Sequence, residues 1–243
     1  LLLLANGCSH TAGAEIEYPM QGECYKKAWP YHLANTLNYK HINLAVSGAS
    51  NHRVLRTTID FIGKRILNKQ SIDNIFAVIM WPGAWRSEVF IEQRSNTVDV
   101  YKGWQQLVVG NNEFYKDTLS KDHYNYYKYW VSTNTYYQAM TQYYMDVIIL
   151  QNYFITYKIP YLFWRAANTV LDKNRKFNSY RIQINKKRFP CPTQAKFDFC
   201  SLLTHFGHEP SIYTQWNHFG EDGHIKFSEI LFKYIQDNQI VSC

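Results

Sequence analysis

Several features that would classify a protein at once are missing here. There is no C-x-x-C pair, and the five cysteines (Cys8, Cys24, Cys191, Cys200 and Cys243) are odd in number. Neither a disulfide framework nor a zinc ribbon is expected, and a reducing compartment is. No apolar run approaches the ~20 residues needed to cross a bilayer, so no membrane partner is expected. The opening Leu1-Leu2-Leu3-Leu4 has no basic lead-in and is too short for a signal-peptide core. It reads instead as a buried strand whose start is missing, since no initiator Met precedes it. A cytoplasmic or virion-associated location is the resulting expectation. Internal repeats and low-complexity linkers are absent too, and 243 residues suit one large domain with a real core.

What is present narrows the class further. Hydrophobic residues make up 46%, which excludes a disordered tail protein. The net charge of +7 suggests a polyanionic neighbour without specifying one. Aromatic residues reach 17%; such side chains stack on sugars or bases, yet most aromatics in any domain are core.

The pattern along the chain alternates strands with helices. Leu1 to Ala5 reads as a strand closed by Asn6-Gly7, followed by a helix over Tyr25 to Leu37. A short strand is expected at His41 to Ala45 and a helix from about Asn51 to Leu67, where Ile59, Ile62 and Ile66 recur at helical spacing. Ile75 to Trp81 is continuously apolar and stopped by Pro82-Gly83, as a central parallel strand would be. A long helix is expected over Tyr126 to Tyr157, with Trp130, Tyr137, Met140, Tyr144, Val147 and Ile148 on one face. A strand at Ile159 to Trp164 and a helix at Lys226 to Gln236 complete the set. Glu92 to Asn125 and Asp172 to Cys200 read as insertions at the rim of the site. The expected fold is α/β: a three-layer α/β/α sandwich with a mostly parallel sheet. Ligands in such folds sit outside the carboxyl ends of the strands, so the residues after each strand are where chemistry is sought.

Ser9, in Gly7-Cys8-Ser9-His10-Thr11, lies at the first of these turns. A serine there can expose its hydroxyl and aim its backbone N–H at an oxyanion; it can equally be an ordinary helix cap. Near the other end, His218-Phe219-Gly220-Glu221-Asp222-Gly223-His224 precedes the last helix. Between them lies Asn43-Leu44-Ala45-Val46-Ser47-Gly48-Ala49-Ser50-Asn51. In this order the three blocks resemble those of the SGNH (GDSL-like) serine hydrolases, including divergent, phage-encoded members.

That resemblance implies a flavodoxin-like sheet, Ser9 as nucleophile and His218 as general base, with His224 as second choice for the base. It also implies Ser9 and Gly48 N–H groups as oxyanion donors. Three positions depart from the family pattern. Cys8 stands where the family has Asp. Trp85, in Gly83-Ala84-Trp85-Arg86, stands where an oxyanion-hole Asn belongs, so Asn51, Arg86 or a different loop is expected to substitute. Trp85 and Arg86 are further expected to contact substrate, although Arg86 and Glu88 also suit an ordinary surface pair. Gln215 occupies the place of the acid three residues before the base. A Gln can hold an imidazole but cannot stabilise an imidazolium, and the analogous Asp to Asn change in a Ser-His-Asp triad costs about 10⁴ in turnover. A comparable loss is expected here unless Glu221, Asp222 or a distant carboxylate compensates.

Two functions follow as expectations. One is an esterase or O-deacetylase acting on an acylated carbohydrate or small ester, with no metal and no organic cofactor. The other is a catalytically degraded relative that serves as a structural or binding protein, such as a virion component assembled with other virion proteins. The pair His205 and His208 has metal-like spacing but no third ligand, and no metal is expected. The basic cluster Lys173, Arg175, Lys176, Arg181, Lys186, Lys187 and Arg188 is interleaved with Phe177, Tyr180 and Phe189. It suits a solvated loop, the commoner case, or a surface for single-stranded nucleic acid.

Overall fold

Strands without a polar face need cover on both sides, and the two most apolar segments receive it. Every residue of β1 (Leu2–Asn6) and β3 (Ile75–Trp81) is buried in the computed structural model. The structure describes residues 1–16, 25–90, 103–166, 175–190, 198–205, 207 and 218–241. In chain order the remaining elements begin with α1 (Ser9–Ala12), α2 (Trp29–Leu37), β2 (Lys40–Asn43) and α3 (Asn51–Leu67). After β3 come β4 (Arg86–Phe90), β5 (Trp104–Val108), α4 (Asn112–Thr118), α5 (Lys121–Thr133) and α6 (Tyr136–Thr156). The last are β6 (Tyr161–Arg165), α7 (Asn178–Arg181), α8 (Phe199–His205) and α9 (Glu221–Asp237).

Four strands form one parallel sheet in the order β2-β1-β3-β6. The chain moves outward from β1 to β2, then crosses back over β1 to β3. Right-handed crossovers therefore put α2 and α3 on opposite faces. The packing agrees: α2 lies on α9, and α3 lies on α6. The result is the three-layer α/β/α architecture expected from the sequence. The order reverses between β1 and β3, and the crevice at their carboxyl ends is where such sheets bind ligands.

Two expectations about elements change. The helix expected over Tyr126 to Tyr157 is two helices, parted at Asn134. Thr135 caps the second: its Oγ1 accepts from Gln138 N (3.3 Å), and Gln138 Oε1 accepts from Thr135 N (2.9 Å). Between β3 and Tyr126, where no element was expected, lie β4 and β5, an antiparallel pair. Leu107, Tyr115, Leu119 and Tyr127 form a small second core beneath it. Tyr115 Oη donates to Gln106 O and accepts from Val108 N, both at 2.9 Å, which ties α4 to β5.

A partly buried ion pair pins this hairpin to α3. Arg56 donates to both carboxylate oxygens of Glu88 at 2.8 Å, and its guanidinium lies 4.0 Å from the Trp104 ring centroid. Glu88 therefore belongs to Arg56, leaving Arg86 to the rim of the site. Glu88→Ala would remove both hydrogen bonds from a guanidinium that is 21% exposed, and a loss of about 1–2 kcal/mol is expected. Urea denaturation measures it; an unchanged midpoint would show that the hairpin is held some other way.

Candidate active site

The turn after β1 is tightly built. A side chain at Gly7 would place its Cβ 2.3 Å from Thr11 Oγ1 and 2.8 Å from Met80 O, so only glycine fits. Asn6 locks the turn from below: its Oδ1 accepts from Gly7 N (2.8 Å), and its Nδ2 reaches Val54 O and Thr57 Oγ1 on α3. Asn43, at the end of β2, donates to Thr11 O (2.7 Å) and accepts from Ala45 N (3.1 Å). The loops after β1 and β2 are thereby fixed to each other.

Ser9 opens α1, at a position whose N–H has no acceptor within its own helix. The helix is only four residues long. Gly13 ends it in the left-handed region at φ 74°, and Glu15 follows, also left-handed at φ 61°. A non-glycine residue held there costs of order 1–3 kcal/mol, a cost that persists only where surrounding structure imposes it. The two left-handed residues fold the chain back on itself and bring the Glu15 carboxylate beside the same turn as Ser9.

The third side chain comes from the other end of the sequence. His218 precedes α9, and Phe219 beside it is buried edge-on against Phe199 (centroids 5.6 Å apart). His218 Nε2 lies 2.7 Å from Ser9 Oγ, and His218 Nδ1 lies 2.7 Å from Glu15 Oε2. All three residues are buried. An ionised carboxylate only accepts, so it takes the Nδ1–H, and Nε2 is then free to accept the Ser9 hydroxyl proton. The hydrogen bonds run in one direction from hydroxyl to imidazole to carboxylate.

The remaining expected residues are distributed as follows. Ser9, Gly48, Arg86 and His218 line one cavity of about 540 Å³, together with Gln105, Gln106 and Tyr115 from the β4–β5 region. Gly48 sits at φ 76°, in a left-handed turn after β2. Arg86 donates to Ala49 O (3.3 Å). Asn51 is turned away: its Nδ2 donates to Gly83 O (3.2 Å), and it lines a neighbouring cavity. Trp85 packs on Tyr136 (centroids 6.2 Å apart) and against the core, outside the lining of the Ser9 cavity. Gln215 and His208 lie outside the described residues. Glu15 was not anticipated. The only hint in the sequence is an acid placed just after the Gly13 helix stop.

His224 performs a different task. Its Nδ1 accepts from Trp29 N (3.2 Å) and so caps α2, and its ring packs on Phe199 (centroids 5.4 Å apart). Burial first, then the nearby His218 and His32, pushes its pKa down to about 3. His10 is also held well below the ordinary histidine value, by burial first and then by His218, His224 and Arg86. Its ring meets His218 edge-on at 4.7 Å. Burial pushes the Cys200 thiol up, and its Sγ rests 3.7 Å from His10 Nε2.

The depressed His224 pKa has a measurable consequence. Below the ordinary histidine pKa of ~6.5 the unfolded chain takes up a proton that the folded chain refuses, until about pH 3. Stability therefore falls with falling pH across that window, by at most ~1.4 kcal/mol per unit for this one group. His224→Gln keeps an acceptor for Trp29 N and cannot titrate. Its urea-denaturation free energies are expected to fall less steeply between pH 6.5 and 4 than those of the parent. Parallel slopes would remove His224 from the account.

Among the described residues, no group of three or more His, Cys, Asp or Glu could hold a metal ion. No helix among them is long and apolar enough to cross a membrane.

A family model described as "Family of unknown function (DUF6071)" matches residues 17–204, a stretch that begins after Glu15 and ends before His218. No curated protein matches the chain. Among solved structures, it is similar to a protein described as lipolytic and of the G-D-S-L family from Desulfitobacterium hafniense DCB-2 (12% identity, 99% of each chain covered, TM-score 0.47). It is also similar to the acetyl xylan esterase AlAXEase (11% identity, 97% of this chain and 100% of that one, TM-score 0.46). A third is the esterase EstA from Pseudoalteromonas sp. (10% identity, 98% and 96% covered, TM-score 0.45).

Proposed function

We propose a serine-hydrolase activity for this chain, which belongs to the DUF6071 family of unknown function and takes no activity from that membership. The observation that carries the reading is the unbroken run of two 2.7 Å contacts from Ser9 Oγ through His218 to Glu15. A hydroxyl, an imidazole and a carboxylate so ordered have the arrangement needed for nucleophilic acyl transfer.

In the proposed cycle His218 Nε2 takes the Ser9 proton as Oγ attacks an ester carbonyl. The resulting imidazolium is stabilised by the Glu15 carboxylate at Nδ1. The oxyanion is met by the backbone N–H groups of Ser9 and Gly48, and the Arg86 guanidinium on the same cavity wall adds a positive charge. Collapse breaks the ester C–O bond, and the leaving alcohol takes the proton from His218. Water, deprotonated by the same imidazole, then attacks the acyl-Ser9 ester; the acyl C–Oγ bond breaks, His218 returns the proton to Ser9 Oγ, and the carboxylic acid leaves. Ester and water become acid and alcohol, and no redox step is needed.

The cavity favours a small ester with a polar alcohol. Its walls set Ser47, Gln105, Gln106 and Asn111 beside Val108, Phe114 and Tyr115, a mixture that suits a hydroxylated leaving group together with a short acyl group. An O-acetylated carbohydrate is the substrate class we favour. A fluorophosphonate probe and a short-chain aryl ester test the reading. Covalent labelling at Ser9 with ester turnover supports it; an unlabelled, inert protein would make a binding or structural role the better answer.

A further inference from the structure

Among the described residues that line the Ser9 cavity, Arg86 is the one with a permanent charge, and none carries a carboxylate. Arg86 opens β4, opposite Val108 of β5, so the hairpin fixes where it stands, and the residue is half-buried. Among the described residues its one hydrogen bond runs from Nη1 to the carbonyl of Ala49, at 3.3 Å.

The neighbouring acids are committed elsewhere. Glu88 gives both oxygens to Arg56, and Glu15 faces His218 at 2.7 Å. Asp146, with a side chain only 1% exposed, faces His52 at 3.7 Å. A guanidinium carries five N–H donors and keeps its charge at any working pH, so most of its donors are left for what enters the cavity.

The count of charges selects the ligand. A phosphate monoester carries about −1.5 to −2 near neutral pH and would be only partly balanced here. His10, also on the wall, adds no charge, because burial holds it neutral. A carboxylate carries a single charge, and its two oxygens match the guanidinium fork. Gln105, Gln106 and Asn111 line the same cavity with amides suited to the hydroxyls of the same molecule. The net charge of +7 attracts anions to the surface in general.

We infer that the Ser9 cavity takes an acidic sugar, with the sugar carboxylate bound by Arg86 and an O-acyl group presented to Ser9. The acyl half of this assignment rests on the hydrolase reading; the carboxylate half stands without it.

Ligand-observed NMR titration of the full chain with glucuronic acid and with glucose reads the carboxylate contact alone. Saturable binding of glucuronate in the millimolar range is expected, about tenfold or more tighter than that of glucose. Arg86→Gln should abolish the preference, and Arg86→Lys, which keeps the charge but loses the fork, should retain part of it. Lys40→Gln removes the same charge at the opposite end of the sheet and should change nothing, which separates Arg86 from general attraction by a basic surface. Ser9→Ala should bind glucuronate as the parent does.

Acetate release from mono-O-acetylated glucuronic acid and mono-O-acetylated glucose then reads the substrate. The acidic ester is expected to be favoured about tenfold or more in kcat/KM. Because the same charge serves the oxyanion, Arg86→Gln should slow both esters, and the acidic one about tenfold more than the neutral one. No saturation with glucuronate, equal binding of the two sugars, or a preference that survives Arg86→Gln overturns the carboxylate site. Arg86-dependent glucuronate binding with neither ester turned over would sink the hydrolase and spare that site. Turnover of the neutral ester at or above the rate of the acidic one would spare the hydrolase and sink the acidic substrate.

Discussion

Replacing Ser9 by Ala is expected to abolish fluorophosphonate labelling and to lower ester turnover by about 10⁴-fold or more. The side chain is buried and makes its contact with His218 Nε2 at 2.7 Å, so losing one oxygen barely alters packing while removing the attacking atom. Stability should change by less than ~1 kcal/mol, the value of one ordinary hydrogen bond, so the lost activity would not be an unfolding effect. The measurement pairs hydrolysis of a short-chain aryl ester with a thermal melt. Turnover that persists in a folded Ser9→Ala protein would remove Ser9 from the chemistry and end the hydrolase reading.

The second large effect concerns Glu15. Glu15→Gln preserves size and can still hydrogen-bond His218, but it carries no charge to stabilise the imidazolium and its amide can turn a donor toward Nδ1. A fall of about 10³–10⁴ in kcat is expected, with KM nearly unchanged, because the interaction matters most in the transition state. Gln215→Ala is expected to change kcat by no more than about threefold, since the Nδ1 of His218 is already occupied by Glu15 at 2.7 Å. The two variants, assayed side by side on the same ester, decide which residue backs the base. The opposite ranking would restore Gln215 and make the Glu15 contact incidental.

These two cases show what could be read from the residues and what could not. A serine in a glycine-bearing turn after an apolar strand, and a histidine just before a terminal helix, are local patterns. The sheet was legible for the same reason, since Ile75 to Trp81 has no polar face to show. Glu15 is different. Its part depends on two departures into left-handed backbone, at Gly13 and at Glu15 with Ala14 between, and on a partner 203 residues away. No periodicity signals that. The β4–β5 pair was hidden because β4 opens with the polar run Arg86, Ser87 and Glu88, which reads as loop. The helix break at Asn134 was masked by aromatic residues that continue the same face on both sides. Thr135 and Gln138 do carry the spacing of a helix start, a signal outweighed by the longer pattern.

The division of the Ser9 site between the two ends of the chain has a consequence during synthesis. Ser9 and Glu15 leave the ribosome close together, but His218 follows Glu15 by 203 residues, and its place depends on α9 settling against α2. Over the 209 residues that separate them in the sequence, the nascent polypeptide carries a hydroxyl with no base beside it. Reactivity toward esters would switch on in one step, when the final helix docks.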